Sequence, residues 1–67
     1  MEFLIVNVQT NTDLVSTDDC CDAISQTINY VANGVTAELF VCNESIWYGW
    51  DYANEFMGLR PKTPPTR

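Results

Sequence analysis

The spacing of hydrophobic and polar positions changes along this chain, and each change predicts an element. EFLIVNVQ, residues 2–9, begins apolar on both parities. Leu4, Val6 and Val8 point one way and Phe3 and Ile5 the other, before Asn7 and Gln9 turn polar. A strand apolar on both sides belongs inside a sheet. TNTD, residues 10–13, is turn chemistry, since these side chains can hydrogen-bond their own backbone. In STDDCCDAISQTINYVANG, residues 16–34, the period becomes helical. Ser16 is the predicted N-cap, with Asp19 three positions on. Asp18 and Asp19 favour the first turn of a helix dipole, and Gly34 supplies the stop. Thr17, Cys20, Cys21, Ile24, Thr27, Ile28 and Val31 form the predicted inner stripe, with Asp18, Asp22, Ser25, Gln26 and Asn29 opposite.

VTAELFVC, residues 35–42, then alternates, with Val35, Ala37, Leu39 and Val41 predicted to face the helix. Asn43 and Glu44 are the predicted two-residue turn into SIWYGWDY. There Ile46, Tyr48, Trp50 and Tyr52 share one parity, and Trp47, Gly49 and Asp51 the other. Gly49 in mid-strand implies a bulge or a close backbone approach. Asp51 can cap a short helical turn over YANEFMG, residues 52–58. The predicted fold is α+β: one amphipathic helix on a small three-stranded antiparallel or mixed sheet, in the order β-α-β-β. Residues 1–59 form the single expected domain, and RPKTPPTR, residues 60–67, a flexible basic Pro-rich tail.

Charge changes this picture most. The formal charge is −6, and the three cations are Arg60, Lys62 and Arg67. Residues 1–59 hold nine acids and no Lys, Arg or His: Glu2, Asp13, Asp18, Asp19, Asp22, Glu38, Glu44, Asp51 and Glu55. Mixed signs are the norm on a soluble domain, because uncompensated repulsion opposes compaction. A field of one sign favours fast, salt-sensitive association with a basic surface. It excludes direct nucleic-acid binding, which requires cations against phosphates. Adaptation to high salt is a second explanation of the acidity, and it fits the complete lack of cations over 59 residues less well.

Sixty-seven residues can bury only a small core. Met1 leads straight into EFLIVNV without the basic start of a signal peptide, and no apolar run approaches the length of a membrane span. A cytoplasmic protein is the expectation. Cys20, Cys21 and Cys42 do not form an even-numbered disulfide framework. They are expected as buried reduced thiols, with a bridge to Cys42 or between subunits as the alternative. No cofactor is expected, since the chain lacks His and has no common metal spacing. The Asp-Asp-Cys-Cys-Asp run, wound on a helix, splays around the axis. An enzyme is not expected, because nucleophile elbows, phosphate-cradling glycine loops and body cations are all missing.

The remaining signal is aromatic. NESIWYGWDY, residues 43–52, carries four large rings in ten positions. One helix covers one face of a sheet, so Phe3, Phe40 and some of Trp47, Tyr48, Trp50 and Tyr52 are expected on the other face. They would meet a partner or a second copy there, pack under a C-terminal turn bearing Phe56, Met57 and Leu59, or line a small-molecule pocket. A small all-acidic body with a β-α-β core resembles virus-encoded proteins that disable host machinery. These are anti-CRISPR proteins, inhibitors of bacterial RNA polymerase, and DNA mimics that inhibit uracil-DNA glycosylase or restriction enzymes. The likeness covers residues 1–59 in composition and architecture, and Glu44-Ser45-Ile46 is similar to an acidic edge-strand tripeptide of one glycosylase-inhibitor family.

That resemblance implies a non-enzymatic phage inhibitor docking on a basic, nucleic-acid-handling host protein. Asp13, Asp18, Asp19, Asp22, Glu38 and Glu44 would replace phosphates. Ser45, Ile46, Trp47, Tyr48, Trp50 and Asp51 would complete the contact. Two other readings compete: an oligomerising accessory subunit with a solubilising acidic surface, including a homodimer, and a redox or metal module built on the three cysteines.

Overall fold

A computed structural model describes residues 1–51 and 60–62, with the Arg60 side chain excepted. The elements are β1 (Glu2–Asn7), β2 (Thr12–Thr17), α1 (Cys20–Ala32), β3 (Ala37–Asn43), β4 (Ile46–Trp50) and the two-residue β5 (Arg60–Pro61). The class is α+β, as the alternation of periods predicts. The sheet is wholly antiparallel, in the order β2-β1-β3-β4, with β5 added beside β4. The short helical turn predicted for residues 52–58 lies outside the described residues.

The three-strand expectation is corrected by β2, within a segment read as turn and helix start. Asn7 begins the reversal, its side-chain oxygen accepting from the Gln9 and Thr10 amides at 3.0 and 3.3 Å. Asn11 turns the chain at φ 55°. Residues 12–17 then pair back along β1, from Asn7 opposite Thr12 to Phe3 opposite Thr17. The register slips between Ile5 and Val6. That bulge leaves Leu14 unpaired and lets both Leu14 and Val15 pack into the helix-side core. The strand was hidden in the sequence because this bulge breaks its alternation. β2 also settles the direction of β3: the chain re-enters the sheet after one reversal, so α1 delivers β3 antiparallel to β1.

α1 starts later than Ser16, because Ser16 and Thr17 are spent on β2. Asp19 is the N-cap, its carboxylate accepting from the Asp22 amide at 3.2 Å, while the Thr17 hydroxyl accepts from the Asp19 amide at 3.1 Å. At the far end Gly34 takes φ 83°. The Gly34 and Val35 amides donate to the Val31 and Tyr30 carbonyls at 3.1 and 3.0 Å. That is a Schellman closure, and the predicted glycine stop.

The inner stripe is corrected too. Ala23 and Thr27 are fully buried, and Tyr30 and Val31 pack beside them, while Cys20, Cys21 and Ile24 are exposed. Small residues sit where helix and sheet approach most closely. Thr27 satisfies its hydroxyl on the Ala23 carbonyl at 2.8 Å. A stripe weighted by hydrophobicity drifts toward Ile and Cys, and so misses this face. The cysteines are free thiols, and the two on α1 are not core residues as expected.

Two cores result. The helix-side core holds Phe3, Ile5, Ala23, Ala37, Leu39 and Val41. The other holds Leu4, Val6 and Phe40, with Val8 and Trp47 against it. Phe3 thus lies under the helix, not beside Phe40 as expected. The pairing of Leu4 with Phe40 fixes the opposite parity for Leu4 and Val6.

Candidate protein-binding surface

The structure separates the sequence-predicted contact residues. Glu38 leaves the set first: it is buried, on the face opposite the helix, and its carboxylate meets Lys62 Nζ at 2.7 Å. The Lys62 amide donates to the Trp47 carbonyl at 3.0 Å, and its ammonium lies 5.9 Å from the Phe40 ring centroid. Its aliphatic stem crosses Gly49, where a β-carbon would sit 2.8 Å from Lys62 Cδ and 3.1 Å from Cβ. Here is the close approach predicted for Gly49. It corrects the boundary at residue 60, because Arg60–Pro61 pair with β4 and the Lys62 amide bonds to the Trp47 carbonyl. It also gives the acidic body one ion pair, with its cation drawn from beyond residue 59.

Topology separates the remaining acids. β1 starts, β2 ends, α1 starts and the β3–β4 hairpin turns at one end of the sheet. Glu2, Asp18, Asp19, Asp22 and Glu44 are therefore collected there, all exposed. Neighbouring strands lie ~4.8 Å apart, so the hairpin is about 10–15 Å from the end of β2. Among the described residues no Lys, Arg or His side chain shares this end. Asp13 and Asp51 lie toward the opposite end, as the pairings of Asp13 with Val6 and of neighbouring Trp50 with Leu39 require. The twelve candidates thus do not form one surface. Glu2, counted among the acids but left out of the contact set, joins it because Glu2 pairs with Cys42 beside the hairpin. Only the strand pairing could have placed it.

The turn itself is shifted by one residue: Asn43 pairs with Ile46, and Glu44 and Ser45 form the two-residue loop at φ 53° and 66°. Two positive φ values are the type I′ requirement, normally met by Asn-Gly. Beyond it the aromatic cluster is divided by strand parity. Trp50 packs into the helix-side core and Trp47 into the opposite one, both half-buried. Ile46 stays 51% exposed. Tyr48 is half-buried on the helix-side parity, opposite Val41, where α1 lies over β1, β2 and β3 but not over β4. Leu4, Val6 and Phe40 are buried on the other face, so that face is no open aromatic platform. Tyr52 lies outside the described residues.

Among the described residues no three His, Cys, Asp or Glu side chains gather as metal ligands. A shallow recess of about 160 Å³ lined by Gln26, Asn29, Tyr30 and Asn33 contains none of the candidate residues. No helix of the described residues is long and apolar enough to cross a membrane. Comparison with family models, curated proteins and solved structures returns no match.

Proposed function

We propose that this chain is a non-enzymatic, virus-encoded inhibitor that acts as a nucleic-acid mimic. It binds the Lys/Arg-lined groove of a cytoplasmic host protein, such as a CRISPR effector, an RNA polymerase or a DNA-repair or restriction enzyme. The observation that supports it is the gathering of Glu2, Asp18, Asp19, Asp22 and Glu44 at one end of the sheet. Carboxylates gathered at one end repel one another; Asp19 caps α1 and Asp22 accepts from the Gln26 side chain at 2.9 Å, while no hydrogen bond within the fold is found for Glu2, Asp18 or Glu44 among the described contacts. A cationic partner converts that repulsion into attraction, and steers encounter at low ionic strength.

The immobilised protein, exposed to a bacterial lysate, captures a basic nucleic-acid-binding protein at low salt and releases it as salt rises. Capture of nothing basic at low salt refutes the reading.

A further inference from the structure

The two edges of the sheet differ. On one side β5 is two residues long and contains Pro61, which has no amide to offer a further strand. On the other, β2 is six residues long and carries neither Pro nor Lys, and no strand among the described residues pairs with its outer side. The register says which groups face outward. The Val8 amide donates to the Thr36 carbonyl at 3.0 Å, continuing the ladder between β1 and β3. The even-numbered residues of β1 therefore bond toward β3 and the odd-numbered ones toward β2. Val15 and Thr17, opposite Ile5 and Phe3, exchange bonds with β1. Ser16 lies between them and turns its N–H and C=O away from the sheet. Its side chain is small and exposed, while Leu14 and Val15, half-buried at the edge, form an apolar shelf on the helix side.

We infer that β2 is a docking edge for an extended, Lys- or Arg-bearing segment of another protein, which joins the sheet as a further strand. An N–H and a C=O presented together along an extended backbone are matched by the backbone of another strand. Charge decides whose strand it is. A second copy would bring one body of net charge −6 against another, with Asp18 and Asp19 following β2 directly in each. Like charges at that separation oppose association, whereas a Lys or Arg at the end of an added strand meets these two exposed carboxylates. The shelf of Leu14 and Val15 accepts a β-branched side chain from the same strand. The edge site stands whether or not the anionic end mimics nucleic acid.

The test titrates the full chain into a fluorescein-labelled peptide, Lys-Thr-Val-Thr-Val-Thr-Lys, at low salt, and follows anisotropy. The peptide binds, and Ser16→Pro, which removes the outward amide while keeping the bonds to β1, weakens binding at least about tenfold with a native circular-dichroism spectrum. A peptide N-methylated at every Thr and Val, a control that leaves the protein unaltered, does not bind, and neither does the peptide with Glu at both ends. No binding of the Lys-ended peptide, or equal binding of either control peptide, overturns the inference. So does a wild-type dimer in sedimentation that Ser16→Pro abolishes, since a second copy would then hold the edge. Capture of a basic protein by the anionic end is read separately and survives any of these results.

Discussion

At the scale of single residues, the fold is decided by where side chains of the wrong apparent type are tolerated. Glu44 and Ser45 occupy left-handed backbone that disfavours non-glycine residues by about 1 kcal/mol or more each. Replacing the pair with Asn-Gly should raise stability by about 1–2 kcal/mol, read as a higher urea midpoint at unchanged slope. A lower midpoint would show that the Glu44 side chain supports the hairpin. Gly49 has the opposite logic. Gly49→Ala drives a methyl into the Lys62 stem, for a loss of about 1–3 kcal/mol. The loss should vanish in a Lys62→Gly background, where alanine is the better strand residue.

Among elements, the Glu38–Lys62 pair fastens residues 60–62 to the sheet. Glu38 has a side chain only 9% exposed and Lys62 one 49% exposed. Removing the cation alone strands a buried carboxylate, so Lys62→Met should destabilise by about 1–3 kcal/mol. The double variant Glu38→Leu, Lys62→Met should recover most of that loss, because an apolar pair carries no desolvation penalty. Equal melting of the single and double variants would mean that the contact contributes nothing.

Much of the element level was legible in the chain. β1 announced itself by apolar residues on both parities, β3 by alternation, and the end of α1 by Gly34. β2 was not legible, because the bulge at Leu14 puts two consecutive apolar residues on one face and erases the period of two. The helix start moved for the same reason, since Ser16 pairs with Leu4 and cannot also cap α1. The buried helix face rests on Ala23 and Thr27, whose small size matters more than their hydrophobicity. As for the site, composition revealed the excess of acids but not their grouping. Glu38 turned inward to Lys62, while Glu2 joined the end formed by α1 and the hairpin, both through strand register.

Over the whole molecule, the anionic end opposes folding as well as favouring a partner. Asp18→Asn, Asp19→Asn and Asp22→Asn together relieve repulsion while keeping an N-cap, since Asn caps as well as Asp. Thermal stability should therefore change by no more than about 0.5 kcal/mol, the ordinary range of surface substitution. A fall of several kcal/mol would mean that these carboxylates serve the fold itself.

Capture from a bacterial lysate by three immobilised proteins tests the central claim most directly: the wild-type chain, a variant neutral at Glu2, Asp18, Asp19, Asp22 and Glu44, and Asp13→Asn alone. The account predicts that the first and third retain the same basic protein at low salt and that the second retains none. Equal capture by all three, or by none, contradicts it.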